Sequence, residues 1–188
     1  HNAIRIESSR DSIIRNNRMF GIRNAGRNAN GSAMMLYTST NITIEHNEIY
    51  NSGGGIFVKG ANPGPFNIRY NLIHHIDGGG ILIGGVGTTT AQNGARIYQN
   101  VIRDNAEGIT FIGYDSVSPA NIDVVNNTIH NCSNGGIFFK PNTAGYSDIV
   151  LRNNIIADST RAIQGEDISD LRAMSFSHNM YHGNSTVS

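Results

Sequence analysis

The sequence has little of what marks several common protein classes. It contains one cysteine, Cys132, so a framework of disulfides within the chain is excluded. It has no run of 18 apolar residues, so no hydrophobic helix that crosses a bilayer is predicted. Only 15% of its residues are charged and the formal net charge is zero, which argues against nucleic acid or an anionic membrane as a partner.

Turn-forming residues are what the sequence has in excess. Its 188 residues include 22 glycines and 25 asparagines, whereas strong helix formers such as leucine are scarce. This composition predicts an all-β protein with many turns. The length suits one domain, and residues 1–9 (HNAIRIESS) already alternate like a strand. We therefore expect residues 1–188 to form a single domain of a longer protein, in contact with adjacent domains of that protein.

An asparagine-centred repeat runs through the whole chain. Seven segments carry an apolar residue three positions before one asparagine and another two positions after it. They read IIRNNRMFG, ITIEHNEIYN, NIRYNLIHH, RIYQNVIRD, VVNNTIHN, VLRNNIIAD and SFSHNMYHG. The shared asparagines, at intervals of 24 to 30 residues, are Asn17, Asn47, Asn71, Asn100, Asn127, Asn154 and Asn179. A repeat of this length, built from short strands, indicates a solenoid.

A right-handed parallel β-helix of about seven coils explains this repeat best, because each coil adds one strand to each of several parallel sheets. A second strand follows the asparagine in most copies, as GIFVKG, GILIGG, GITFIG and GIFFKP. We expect alternate residues of these strands to stack as an inward core: Ile56, Val58, Ile81, Ile83, Ile109, Phe111, Ile137 and Phe139. We expect the seven asparagines to form a buried structural ladder that satisfies backbone groups of the turn.

The segments NITIEHNEIYNSGGGIFVKG and NIRYNLIHHIDGGGILIGG resemble the β-helix repeats of pectate-lyase-like polysaccharide lyases, glycoside hydrolases and epimerases. The form IHHIDGGGILIGG is most similar to disaggregatase-related proteins and β-helix glycosidases. The resemblance covers nearly the whole chain. It implies a polysaccharide substrate, a secreted or cell-surface location, and a groove along the outward face of one parallel sheet and its flanking loops. It specifies a fold far more narrowly than an activity.

The outward side of the second strand is one candidate for that groove. The inward pattern sends Phe57 and Lys59 outward, and Phe138 and Lys140 occupy the same columns three coils later. Exposed aromatic rings stack on sugars, so these four residues are candidates for substrate binding. The alternative is that this face packs against a long loop or a neighbouring domain.

Two acids in neighbouring coils are the leading catalytic candidates. Asp77 aligns with Ser52 and Asn105, each four residues before the first inward isoleucine of its coil. Glu107 stands two residues before the inward isoleucine of its own coil, where the neighbouring coils have glycine. A separation of one coil predicts a carboxylate pair that faces one groove, as in glycosidases. We expect Glu107 to be the acid, because glycines on both sides would deny it cationic neighbours. The alternative is that Asp77 caps the turn by accepting backbone N–H bonds.

Further candidates lie around this pair. Asp104 is one turn position from the column of Asp77, and Asp115 follows where the chain leaves the same sheet. Residues 84–94 form the longest insertion near Asp77 and are expected to wall one end of the groove. Three side chains are candidates for binding sugar hydroxyls or carboxylates: His75, Arg103 and Tyr114.

The leading hypothesis is a glycoside hydrolase that degrades an extracellular polysaccharide with Asp77 and Glu107. A lyase acting on uronates ranks second among enzymes, because Lys59 and Lys140 lie three coils apart and neither has an evident acidic neighbour. A β-helix module that only binds glycans is the competing class. No metal site and no cofactor are predicted, with calcium left open as a structural or catalytic ion.

Overall fold

The chain folds into a parallel β-helix in which three sheets run along the stack of coils. The computed structural model describes residues 2–24, 29–60, 62–84, 93–113, 119–140, 145–165 and 174–186. Each sheet holds seven strands, and each strand pairs in parallel with the strand three places away in the chain. The predicted all-β parallel β-helix is confirmed. Within the described ranges, no helix has the length and apolar character that crossing a membrane requires.

The strands follow one another around the coil in the order sheet 1, sheet 2, sheet 3. Sheet 1 consists of β1 (Ile4–Glu7), β4 (Ser32–Tyr37), β7 (Gly54–Lys59), β10 (Gly79–Gly84), β13 (Glu107–Ile112), β16 (Gly135–Phe139) and β19 (Ile163–Gly165). Sheet 2 consists of β2 (Arg10–Arg15), β5 (Thr40–Glu45), β8 (Phe66–Arg69), β11 (Asn93–Tyr98), β14 (Ala120–Val125), β17 (Ser147–Arg152) and β20 (Met174–Ser177). Sheet 3 consists of β3 (Arg18–Phe20), β6 (Glu48–Ser52), β9 (Leu72–Ile76), β12 (Val101–Arg103), β15 (Thr128–His130), β18 (Ile155–Ala157) and β21 (Met180–His182). One 3-10 turn, Ala29–Gly31, precedes β4.

The interior is filled by columns of like residues, as the repeat predicted. Four isoleucines pair in register and are fully buried: Ile56, Ile81, Ile109 and Ile137. The rings of Phe111 and Phe139 stack with centroids 4.7 Å apart and planes at 5°. Parallel in-register pairing gives one position the same surroundings in every coil, which is why the sequence repeats the same residue type there.

The predicted asparagine ladder is confirmed. From Asn17 to Asn154, the backbone N–H and the side-chain amide of each asparagine both donate to Oδ1 of the next one, at 2.9–3.1 Å. The residue before each ladder asparagine has a positive φ of 55° to 58°. The side-chain amide thus satisfies backbone groups that the left-handed turn removes from the sheets.

Replacing Asn100 by alanine is expected to lower the free energy of unfolding by about 2 kcal/mol. Asn100 is 1% exposed, donates to Asn127 and to the Ile68 carbonyl, and accepts both N–H groups of Asn71. The variant would leave those groups buried without bonds. Urea titration measures the change. The same substitution at Asn17, which is only half-buried at the end of the ladder, serves as the control and should cost less.

Close approach of the backbone explains the repeated glycines at the start of sheet 1. A Cβ on Gly80 would lie 2.9 Å from the Gly108 carbonyl oxygen, from Cγ2 of Ile102 and from Nδ2 of Asn105. A real Cβ atom essentially never lies that close to another heavy atom, so a side chain has no room at this position. The equivalent residues of neighbouring coils are also small: Ala33, Gly55, Gly108, Gly136 and Ala162.

The outward face of sheet 1 forms a second hydrophobic cluster. Its members are Met35, Phe57, Leu82 and Ile112, with Tyr37 packed against them. Phe57 is 1% exposed and Phe138 is 8% exposed, so the prediction of an open aromatic platform for sugars was wrong. Large side chains stacked one coil apart cover one another, which accounts for the burial of this face.

Candidate functional site

A polar cleft lies at the turn that leads from sheet 3 into sheet 1, in the region that the sequence singled out. It has a volume of about 670 Å³. The residues that matter for its chemistry are Arg23, His75, Asp77, Asp104, Asn105 and Asn131. We call this region the corner cleft. It brings together three residues proposed from the sequence, namely His75, Asp77 and Asp104.

Left-handed backbone shapes the turn beside the corner cleft. Five residues, one in each of five successive coils, have a positive φ of 50° to 57°: Asn51, His75, Asp104, Asn131 and Asp158. Asparagine, aspartate and histidine adopt this conformation more readily than most other residues with side chains. The first four of these residues line the corner cleft. His75 therefore places an imidazole at a position that holds asparagine or aspartate in the other four of these coils.

Asp77 is held by an arginine two coils away. Nε of Arg23 donates to Oδ2 of Asp77 at 2.8 Å, and a terminal nitrogen of Arg23 donates to Oδ1 at 3.2 Å. Both side chains are about 40% exposed, at 43% for Arg23 and 41% for Asp77. The bond and the negative charge of Asp77 raise the pKa of Arg23. The sequence did not single out Arg23, because it lies 54 residues from Asp77 and only the stacking of coils brings the two together.

Asp104 is held in its charged form by its neighbours. Nδ2 of Asn131 donates to Oδ1 of Asp104 at 2.7 Å, and Arg103 forms an ion pair with Oδ2. The bond from Asn131 is the largest cause that lowers the pKa of Asp104. The bond and charge of Arg103, and the charge of His75 when its ring is protonated, add to it against desolvation. Asp104 is therefore suited to accept hydrogen bonds and to keep its negative charge in the cleft, and not to donate a proton.

Replacing Asp104 by asparagine is expected to lower the free energy of unfolding by about 1–2 kcal/mol at neutral pH, because charge-assisted bonds are lost. A depressed pKa in the folded state stabilises the fold above the unfolded-state pKa, and this stability is lost as pH falls through the folded-state value. The difference between wild type and variant should therefore shrink below about pH 4. Denaturant titrations from neutral to acid pH measure it, and a difference that persists at the lowest pH would contradict the assignment.

His75 enters the corner cleft with one ring nitrogen engaged. Nδ1 of His75 lies 2.8 Å from Nδ1 of His74, the preceding residue on β9. The two rings meet nearly edge to face, with centroids 5.0 Å apart. The side chain of His75 is exposed to solvent, and Nε2 is the ring nitrogen that this contact leaves for a ligand.

The structure shifts Asp77 by one position from its predicted column. Ile76 pairs with Ser52 and donates its N–H to Oδ1 of Asn105, so Ile76 and not Asp77 shares their column. Asp77 instead donates its N–H to the Ser52 carbonyl. Gly78 is an extra residue in this coil, because Gly79 already pairs with Glu107. Counting back from Ile81 across this insertion misplaced Asp77. The spacing from Asn71 to Ile81, ten residues against nine from Asn47 to Ile56, records the extra residue.

Glu107 lies on a different surface from Asp77. In the strand register Glu107 pairs with Gly79 and Gly135, as predicted, but its side chain does not line the corner cleft. Oε2 accepts a hydrogen bond from Thr110 at 2.6 Å, and Oε1 lies 3.3 Å from Nζ of Lys140. The expectation that Glu107 lacks a cationic neighbour was wrong. Gly135 leaves room beside Glu107, whereas Leu82 and Thr110 fill the space over Gly79. The long side chain of Lys140 reaches Glu107 from the coil of Gly135.

The other predicted residues take separate positions. Lys59 is the last residue of β7, at the end of the strand away from the corner cleft. Its Nζ donates to Oδ1 of Asn30 at 2.7 Å and stands over the rings of Tyr37 and Phe57. The expectation that Lys140 has no acidic neighbour was wrong, since it contacts Glu107. Three sequence predictions lie outside the described residues: Tyr114, Asp115 and the part of the insertion from 85 to 92. In the part of the chain that the structure describes, no three His, Cys, Asp or Glu residues converge to hold a metal ion.

Comparison with known proteins identifies the family and the fold. The family model described as right handed beta helix region matches residues 1–95 and 66–188, which together span the chain. The A-module of the mannuronan C-5 epimerase AlgE4 from Azotobacter vinelandii is similar in structure, with a TM-score of 0.54. The two share 18% identity, and the match covers 96% of this chain and 55% of that module. This chain therefore spans about half the length of the AlgE4 module.

A second solved structure, the A-module of the mannuronan C-5 epimerase AlgE6 from the same organism, matches with a TM-score of 0.28. Its identity is 15%, over 83% of this chain and 70% of that module. The likeness to the AlgE4 module concerns the fold alone.

Proposed function

We propose, because this chain belongs to the right-handed β-helix family, that it is a carbohydrate-active protein and binds an acidic polysaccharide in the corner cleft. A fold shared with a module named as a mannuronan C-5 epimerase supports a polysaccharide substrate. The cleft supports an acidic one, because Arg23 lines it and Arg103 is bound to Asp104 at its edge. The protein would meet such a substrate when secreted or at the cell surface.

The position of His75 is the observation from which we infer the class of reaction. An imidazole with one ring nitrogen left for a ligand shares a cleft of sugar size with Arg23. Arg103 pairs with Asp104, which lines the same cleft. Arginine bound to a uronate carboxylate makes the proton on the adjacent carbon more acidic, and His75 would take that proton. In a lyase the bond from the neighbouring carbon to the glycosidic oxygen then breaks, a carbon–carbon double bond forms, and the departing oxygen takes up a proton. We propose a uronate lyase of this kind.

The hydrolase hypothesis becomes the second candidate. It is favoured by one observation, namely that Asp77 and Asp104 line the same cleft. A hydrolase needs one carboxyl group that carries a proton and one that does not. Arg23 binds Asp77, and Arg103 and Asn131 bind Asp104, so neither acid is in a setting that favours a proton donor. The arrangement therefore favours proton abstraction by His75.

One experiment separates these candidates. The purified protein is incubated with uronate-containing and neutral polysaccharides, in buffered H2O and in D2O. Unsaturated ends that absorb in the ultraviolet, on uronates alone, support the lyase. Reducing ends without that absorbance support the hydrolase. Deuterium that enters the uronate carbon without chain cleavage would support proton abstraction without elimination. Binding without any of these changes would favour the glycan-binding module.

A further inference from the structure

Four polar side chains form a chain of contacts across sheet 3, and the last of them is His75. Nε of Arg18 on β3 lies 2.8 Å from Oε2 of Glu48 on β6. The other oxygen, Oε1, lies 3.4 Å from Nε2 of His74 on β9. Nδ1 of His74 then lies 2.8 Å from Nδ1 of His75. The first three residues come from three successive coils and point to the same outer face of the sheet.

Aromatic stacking fixes the ring of His74 within this chain. The rings of His74 and Tyr50 stack with centroids 5.2 Å apart and planes at 3°. Phe20 stacks on the other side of Tyr50 at 5.2 Å. The side chain of His74 is only 12% exposed, so its two nitrogens have a defined direction. One points to Glu48 and the other to His75.

The chemistry of these groups sets the direction of each hydrogen bond. A carboxylate bound to arginine only accepts, so Nε2 of His74 carries the proton that is donated to Glu48. A neutral imidazole has one N–H, so Nδ1 of His74 is then an acceptor. Nδ1 of His75 must donate to it. Nε2 of His75 is consequently left with a lone pair.

We propose that Arg18, Glu48 and His74 are positioning residues that hold His75 in the Nδ1–H tautomer, with Nε2 as the base of the corner cleft. The tautomer of His75 is inferred from the hydrogen-bond chain alone. The role of His75 as a catalytic base rests on the proposed function. When Nε2 takes a proton from the substrate, the imidazolium is stabilised by donation through His74 toward Glu48 and by the charge of Asp104. The other charged groups of the cleft, Arg23 and Asp77, form an ion pair with each other.

Nitrogen NMR of the whole protein tests the tautomer without any substrate. At alkaline pH, where imidazoles are neutral, Nε2 of His75 should resonate as an unprotonated ring nitrogen and Nε2 of His74 as a protonated one. His74→Phe keeps a ring for stacking on Tyr50 but removes the acceptor, so His75 should lose the Nδ1–H preference. Glu48→Ala should have the same effect. Glu7→Ala, which removes a carboxylate that pairs with Arg5 on sheet 1, is the matched control and should leave both histidines unchanged.

Kinetics then test the role of the chain. If the lyase assay succeeds, His74→Phe should lower kcat by about 10- to 100-fold with little change in KM, as expected for loss of orientation of a base. A wild-type His75 with its proton on Nε2 would overturn the inference, and so would a His74→Phe variant with an unchanged tautomer and unchanged kcat. The proposed function fails separately, if the tautomer is as stated but no polysaccharide is turned over.

Discussion

Replacing Gly80 by alanine is expected to lower the free energy of unfolding by about 3 kcal/mol, the upper end of the usual cost of overpacking. The added Cβ would meet three atoms at 2.9 Å, and one of them is the backbone carbonyl oxygen of Gly108 in the next coil. A backbone atom that is hydrogen-bonded in a parallel sheet cannot move aside without disturbing the register on both sides. Chemical denaturation of the purified variant measures the loss.

The matched control for Gly80 lies in the same sheet. A Cβ on Gly135 would have its nearest neighbours at 3.7 Å, the carbonyl oxygen of Arg161 and Oε1 of Gln164, which is ordinary contact. Gly135→Ala should therefore change stability by less than about 1 kcal/mol. Equal losses for the two variants would mean that glycine is required here for backbone flexibility and not for close approach between coils.

The repeat made the fold predictable from the sequence. One asparagine in each coil fixes the register of all three sheets, because its amide bonds both to its own turn and to the next coil. Once Asn71 and Asn100 align, the isoleucines two residues after them, Ile73 and Ile102, fall into one column. Like residues at the same position of successive coils are what a stack of parallel strands requires.

The candidate site was only partly predictable, because turns do not follow the strand register. The inserted Gly78 moved Asp77 out of the column of Ser52 without altering the pattern of β10. Contacts between side chains of different coils could not be predicted from the sequence either. Arg23 reaches Asp77 from two coils away, and Lys140 reaches Glu107 from the next coil. Long flexible cations make such pairs wherever space allows, and sequence periodicity does not record that space.

The identity of His75 was visible in the sequence, but its setting was not. The alignment marked it as a candidate for binding a sugar. Its importance follows from its place in the corner cleft and from the contact with His74. Coils at either side place Asn51 and Asp104 at the equivalent position. Histidine is also tolerated at positive φ, as His46 and His178 show, so the turn alone does not explain its choice here. The chemical role rests on the contact with His74 and on the place of His75 in the corner cleft.

The substitution His75→Asn is expected to reduce kcat on a uronate-containing polysaccharide by about 100- to 10,000-fold, the usual contribution of a general base. Asparagine suits this test because Asn51 and Asn131 occupy the equivalent position in other coils, with φ of 50° and 53° against 54° for His75. The backbone should therefore be undisturbed and the melting temperature nearly unchanged. Only the imidazole is lost from the corner cleft.

His130→Asn is the control for this last variant, since His130 lies on the same sheet and does not line the corner cleft. Its Nε2 contacts Oδ2 of Asp158 at 3.0 Å on the exposed surface. It should retain wild-type kcat. If His75→Asn keeps full activity while Asp77→Asn or Asp104→Asn abolishes it, the base is a carboxylate and the hydrolase candidate gains the support that the lyase loses. If all three variants are as active as the wild type, the reaction takes place outside the corner cleft. The tautomer of His75 would then be a feature of the fold alone.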